Sequence, residues 1–231
     1  MIRRAAHAVR RGAGRRVELV AMGPIEQLRA GRLPHRLTQL LVGLVLFGVS
    51  MAGMVRADLG LEPWGVLHWG LIQHIPLPYG VMSILVAFVV LLLWIPLRQP
   101  PGLGTVLNAI VIGLAIDVTL AVTSRPDELW VRVVVLIASV IGNGIAGAMY
   151  IGSQLGPGPR DGLMTGLSRV TGRSIRLVRT ALEVAVVALG WALGGVVGLG
   201  TIAYALGIGP VVQAFLPMLT VRVERPGQPS E

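Results

Sequence analysis

Long runs without a charged side chain recur along this chain, and two of them, residues 80–97 and 133–152, contain none at all. At about 1.5 Å per residue, a helix of that length crosses a hydrocarbon layer of about 30 Å. Six spans are predicted, near 36–56, 80–97, 103–123, 131–153, 177–197 and 201–220. Two moderately apolar stretches interrupt them, 59–78 and 155–175, both punctuated by Gly and Pro and the second more basic. The solvent for so many apolar runs is the bilayer, since a soluble core cannot absorb them.

An internal repeat sets the expected architecture. A gapless shift of 96 residues lays Gly102-Leu103-Gly104-Thr105 on Gly198-Leu199-Gly200-Thr201, then Ala109 on Ala205, Ile112 on Ile208, Gly113 on Gly209 and Leu120 on Leu216. The same shift superposes Leu59-Gly60, Pro63, Leu67 and Gly70-Leu71 on Leu155-Gly156, Pro159, Leu163 and Gly166-Leu167. Two blocks agreeing on one offset indicate duplication. Each repeat holds three spans, and an odd number of spans turns the second repeat upside down relative to the first. The Arg distribution agrees: with the N-terminus inside, seventeen Arg fall in inside segments, against Arg56, Arg125 and Arg132 outside.

The expected fold is therefore all-α. It is a polytopic membrane helix bundle of six spans, built as two inverted three-span repeats, each with an extra short helix that is either re-entrant or lying on the surface. Residues 1–34 are read as a basic cytoplasmic arm without fixed structure, 35–127 as the first repeat, 128–221 as the second and 222–231 as a cytoplasmic tail. This places the protein in the cell (inner) membrane with both termini cytoplasmic.

Composition narrows the function. The chain is 54% hydrophobic and 13% charged, against about 25% charged in soluble domains. All 20 basic residues are Arg, and nine precede or open the first span: Arg3, Arg4, Arg10, Arg11, Arg15, Arg16, Arg29, Arg32 and Arg36. This arm is read as a positive-inside anchor for anionic lipid rather than a nucleic-acid binder, because no nucleic-acid fold follows it. Residues 1–34 lack the continuous apolar core of a cleavable signal, and Met22 is an alternative first residue. With no Cys, disulfides and thiolate chemistry are excluded, and His7, His35, His68 and His74 have no metal-ligand spacing. No cofactor or metal site and no enzymatic constellation is predicted.

Candidate site residues cluster in the repeated short segments. Pro63-Trp64 and Pro159-Arg160-Asp161, with Thr165, share length and frame, and Pro is a favoured first helical residue. As half-helices they would meet near a pseudo-two-fold axis with their N-termini facing a solute; as surface helices they would lie on opposite faces. Asp161 suits the positive helix end, and Arg160, its local ion-pair partner, would otherwise be free to meet an anion. Asp117 lies inside the third span with no partner on its own helix and is a candidate for proton or cation coupling. Glu183 lies inside the fifth span, four residues after Arg179, so the two share one helix face. Asn108 and Asn143 read first as helix-to-helix hydrogen bonds, with Asn108 retained as a site candidate.

The run Gly156-Pro157-Gly158-Pro159-Arg160-Asp161-Gly162-Leu163-Met164 carries a family resemblance, together with Ser174-Ile175-Arg176, Arg179-Thr180, Glu183, Gly190-Trp191 and Gly198-Leu199-Gly200-Thr201. With Pro63-Trp64 and 102–109, it resembles the YczE/YyaS/YitT-type family of bacterial integral membrane proteins over residues 36–220. That resemblance implies a multi-span inner-membrane protein and names no transported substrate. It also implies an Asp after the first Pro-Trp, where this chain has Gly65, so a mechanism with paired carboxylates lacks its first-half member.

Two functional classes follow. One is a small secondary transporter or permease for an unknown small solute, an anion among the candidates, bound between the inverted repeats. The other is a non-transporting membrane partner, or a substrate-binding subunit of a larger complex; a homo-oligomer fits either. A channel of the two-half-helix type is less well matched, because Asn-Pro-Ala is absent.

Overall fold

A computed structural model describes residues 22–223, and within them the chain is helical with no strand. A short helix α1 (Pro24–Arg29) precedes α2 (Leu33–Ala57), α3 (Pro63–Ile72), α4 (Tyr79–Trp94) and α5 (Leu103–Val122). The chain continues through α6 (Leu129–Gly152), α7 (Pro159–Thr171), α8 (Ile175–Ala192) and α9 (Leu199–Leu219). The starts of α2 and α6, α3 and α7, α4 and α8, and α5 and α9 are each 96 residues apart. Among the described residues, four helices, α2, α5, α6 and α9, are long and apolar enough to cross a membrane. The predicted span at 80–97 is a shorter apolar helix, α4, of 16 residues. The span predicted at 177–197 is α8, whose 18 residues include Arg176, Arg179 and Glu183.

Local sequence explains the boundaries. Pro occupies the first turn of α2, α3 and α7, where its missing N–H has no intrahelical partner to lose. Thr105 and Thr201 accept from the backbone N–H of Gly102 and Gly198, which closes the first turns of α5 and α9. α2 ends at Asp58 (φ 49°) and α6 is followed by Gln154 (φ 55°), both left-handed. Gly60 (φ 115°) and Gly156 (φ 118°) then take a conformation open to Gly, turning each chain into the following short helix.

Several contacts are reciprocal under the 96-residue shift. The Arg36 guanidinium is wholly buried, with Nε donating to Ser153 O at 2.8 Å and Nη2 to Gln154 O at 2.7 Å. Arg132, its counterpart, donates to Ala57 O at 2.7 Å and to Asp58 O. Each Arg thus caps the C-terminal end of the other half's first long helix. Likewise Gly104 N donates to Leu155 O at 2.8 Å, and Gly200 N donates to Leu59 O at 2.7 Å. α2 and α6 pack along each other at the centre, flanked by α5 on α2 and α9 on α6. Small residues permit the approach: a Cβ on Gly48 would lie 2.6 Å from Ile112 O, and one on Gly43 would lie 2.8 Å from Met149 Cβ.

Arg36 therefore departs from its expected role as a lipid-facing arm residue. Residues 1–21 and 224–231, most of the basic arm and of the tail, lie outside the described residues. The short segment 63–72 also settles one alternative. α3 buries Pro63, Trp64, Gly65, Val66, Leu67, His68 and Gly70, so it is enclosed by protein and is not a surface helix with one wet face.

Removing the Arg36 guanidinium leaves several buried carbonyls without donors. Arg36→Met is expected to lower unfolding free energy by about 3–5 kcal/mol. Arg125, on the exposed ion pair with Asp58 at 3.1 Å, is expected to cost about 1 kcal/mol or less when changed to Met. Denaturant unfolding in detergent micelles, followed by the helical circular dichroism signal, checks both.

Candidate functional site

The first turns of α3 and α7 meet at a cavity of about 250 Å³. Pro63 and Trp64 come from one, and Pro159, Arg160 and Asp161 from the other. The remaining wall comes from Ser83 and Val90 of α4, Asn108 of α5, Asn143 and Tyr150 of α6, Arg179 and Glu183 of α8, and Tyr204 and Gln213 of α9. Both short helices begin at Pro, so each brings the positive end of its peptide dipoles to the cavity region. Glycine lets α3 sit deep: a Cβ on Gly70 would lie 2.5 Å from Gly190 O, and one on Gly190 would lie 2.5 Å from Leu67 N. On the other side Trp94, 1% exposed, fills the space over Gly162 and donates through Nε1 to Pro159 O at 3.0 Å.

The charged groups are organised in pairs. Arg160 Nη1 lies 3.7 Å from Glu62 Oε1, and its guanidinium carbon is 5.2 Å from the Trp64 ring centroid. Asp161 instead accepts a hydrogen bond from the Tyr150 hydroxyl. The expected local pair of Arg160 with Asp161 is replaced by these partners, and Arg160 is committed to an acid rather than free for an anion. Arg179 Nε donates to Glu183 Oε1 at 2.8 Å along one face of α8. Asn143 accepts from the Tyr204 hydroxyl at 3.0 Å, and its amide lies 3.5 Å from Phe47 O. Among the described residues, five buried polar atoms have no hydrogen-bond partner: Gln27 Oε1, Glu62 Oε1, Trp64 Nε1, His68 Nδ1 and the Tyr79 hydroxyl. Among the described residues, no group of three or more His, Asp or Glu is placed to hold a metal.

Of the ten residues singled out from sequence, Pro63, Trp64, Asn108, Pro159, Arg160, Asp161, Arg179 and Glu183 line the cavity. Asp117 does not. Its carboxylate accepts from Gly80 N at 2.6 Å and Val81 N at 3.0 Å, which ties the first turn of α4 to α5. Thr165 is also outside, donating to Gly162 O at 3.1 Å. The sequence reading missed Glu62, which is 1% exposed, and Tyr150. Glu62 carried a usable signal, because an acid directly before a helix-starting Pro stands at the N-cap. It escaped notice because the repeat places it opposite Gly158. Nothing in local spacing marks Tyr150 as the partner of Asp161.

The two halves differ in how their last helix pairs pack. α4 lies along α5, and a Cβ on Gly80 would lie 1.9 Å from Gly113 O. The corresponding helices α8 and α9 do not pack along each other, and Gly209, the counterpart of Gly113, has no atom within 4 Å of where its Cβ would be. Gln213 stands where Asp117 stands in the first half and lines the cavity.

Apolar helices of this length around a buried polar cavity define an integral membrane protein. The chain belongs to the family of unknown function DUF6198, which it matches over residues 34–217, and this is the YczE-type family. It is similar to an uncharacterised protein of Haemophilus influenzae, 41% identical over 183 residues that cover 77% of this chain and 84% of the relative. It is also similar to the uncharacterised membrane protein YczE of Bacillus subtilis, 32% identical over 185 residues covering 79% and 86%. No solved structure matches the chain.

The helix contacts carry a size exchange that mutation tests. Position 162 is Gly under Trp94, while the corresponding position 66 is Val beside Gly190. A Cβ on Gly162 would lie 1.9 Å from Trp94 Cζ2, so Gly162→Val is expected to destabilise by about 3 kcal/mol or more. Combining it with Trp94→Gly moves the pair towards the other half's arrangement and is expected to recover part of that loss. Thermal unfolding in detergent compares the single and double variants.

Proposed function

We propose that this protein is a small secondary transporter that binds a small polar solute between two inverted repeats. The observation that carries this reading is the convergence of two Pro-started short helices, corresponding under the 96-residue shift, on one polar cavity. Inverted-repeat transporters place their solute site at such a meeting of interrupted helices. The six spans would be α2, α4, α5, α6, α8 and α9, with α3 and α7 as protein-enclosed short helices. The reciprocal bonds of Arg36 with Arg132, and of Gly104 with Gly200, support a two-fold relation between the halves. In this reading both termini are cytoplasmic, which the Arg asymmetry supports.

The unequal packing of α4 on α5 and of α8 near α9 supports alternating access. In this reading Asp117 latches one end of the cavity, and the opposite end opens between α8 and α9. Rocking one repeat against the other exchanges the two conditions.

Two experiments test this. Protein reconstituted in liposomes is expected to accumulate at least one solute from a broad panel of small polar metabolites; absence of both flux and thermal stabilisation across the panel overturns the reading. In the double variant R176C/G209C, which copies the positions of Gly80 and Gly113, mild oxidation is expected to form a disulfide and stop uptake, with recovery on reduction. The parent chain has no Cys, so the reaction is specific to the introduced pair. Undiminished uptake by the cross-linked protein contradicts gating between α8 and α9.

A further inference from the structure

The cavity's acids occupy exchanged positions in the two halves. The first half has Glu62 at the N-cap of α3 and Gly65 three residues on; the second has Gly158 at the N-cap of α7 and Asp161 three residues on. Under the 96-residue shift Glu62 corresponds to Gly158 and Gly65 to Asp161. The exchange is spatial as well as sequential. A Cβ on Gly65 would lie 2.0 Å from Glu62 Oε2 and 2.7 Å from the Tyr79 hydroxyl, so the Glu62 carboxylate, with Tyr79, fills the room that a side chain at 65 would take. A Cβ on Gly158 would lie 3.1 Å from Asp161 Oδ2, the same relation reversed. Each half therefore delivers one carboxylate to the first turn of its short helix, from alternative positions.

The charge balance of the lining points to the solute. Glu62, Asp161 and Glu183 face two guanidiniums, Arg160 and Arg179, and both of these are paired to acids already. With all three acids ionised, the formal excess is one negative charge. In a cavity walled largely by apolar protein such an excess attracts a cation and repels an anion more strongly than it would in bulk water. Glu62 Oε1 is buried, lacks a hydrogen-bond partner and lies in a residue that lines the cavity. Arg160 Nη1 stands 3.7 Å from it without a hydrogen bond, so this oxygen keeps its capacity to accept from a closer N–H donor. Trp64 Nε1 and His68 Nδ1, also buried and unpartnered, lie beside it on the same helix and offer contacts to a polar group elsewhere on the solute.

We propose that Glu62 and Asp161 form a carboxylate pair, split between the two short helices, that selects a solute bearing an ammonium or guanidinium group. This rests on the transporter reading above and supplies its substrate class. Arg160, 3.7 Å from Glu62 and 5.2 Å from the Trp64 ring centroid, marks the place where a positive group meets the Glu62 carboxylate. The anionic solute expected from Arg160 alone gives way to a cationic or zwitterionic one, because Arg160 already has its acid.

The test uses the full-length protein in detergent, with thermal shift and equilibrium dialysis read for choline, ethanolamine and lysine as cation-bearing probes, and acetate, succinate and phosphate as anions. Cation-bearing probes are expected to bind and anions not. Glu62→Gln keeps the side-chain volume and is expected to weaken that binding about tenfold or more, as loss of a charge-assisted contact requires. The relocated pair E62G/G65D copies the second half's arrangement and is expected to return affinity to within about threefold of the parent. A role confined to stability would not restore charge selectivity on relocation. Binding of the anions in preference to the cations overturns the proposal while leaving transport between repeats intact. Unchanged cation affinity in Glu62→Gln also overturns it, and so does a relocated pair that folds but does not bind.

Discussion

The exchange of Arg36 and Arg132 is the constraint on which the rest of the structure depends. A buried guanidinium in an apolar surround is tolerated only when its donors are satisfied. Arg36 satisfies them on the last carbonyls after α6, and Arg132 does the same after α2. These carbonyls are the ones a helix end leaves without intrahelical donors. Each Arg therefore resolves two problems at once, and it does so only if the start of one half's first helix sits against the end of the other's. That fixes α2 and α6 side by side. The chain leaves each through a left-handed residue and a glycine, then passes the other half's Gly-Leu-Gly-Thr turn within hydrogen-bonding distance. The start of α3 and of α7 follows within a few residues, so the cavity's position is set by the clamp.

Within that frame the halves have diverged by compensation. Trp94 over Gly162 corresponds to Gly190 against the Val66 and Leu67 backbone. A large side chain and a glycine have changed places across a helix contact, and close packing is kept on both sides. Glu62 with Gly65 against Gly158 with Asp161 is the same pattern in charge rather than volume. A second carboxylate at 65 would collide with the first, and its loss from 62 alone would leave Arg160 without its acid in a largely enclosed site.

The all-helical membrane bundle was legible because uncharged runs of bilayer length have no soluble explanation, and the helix starts were legible because Pro and Gly-Leu-Gly-Thr mark them twice at one offset. Helix ends were less so. Hydrophobicity continues past Trp94 and Ala192, but left-handed Arg98 and Gly194 lie just beyond, where the backbone has already left the helix. Arg36 was placed with the lipid-facing arm because counting Arg by segment treats every one as exposed, and burial against carbonyls from 117 residues away leaves no local trace. Most of the cavity wall came from the repeated segments. Glu62 did not, because identity matching hides an acid that has moved three positions in one copy. Asp117 looked like a coupling group for want of a partner on its own helix; its partners are backbone N–H groups of α4, which a side-chain census omits.

The difference between Asp117 and Gln213 has the largest consequence for how the two ends of the cavity behave. A carboxylate at the start of a neighbouring helix accepts from its free N–H groups and gains from its dipole, and Asp117 does both for α4. A neutral amide at 213 gains little from a dipole, and the residue corresponding to Gly80 is Arg176, so the closed state of α8 on α9 needs a different contact from the glycine-on-carbonyl approach of Gly80 on Gly113. The two ends are therefore unequal by sequence, and not only by conformation. In an alternating-access cycle two equally tight latches would seal the cavity and two equally loose ones would leave it open through. Under the transport reading proposed above, one latch would depend on the charge of Asp117 and the other, at Gln213, on none.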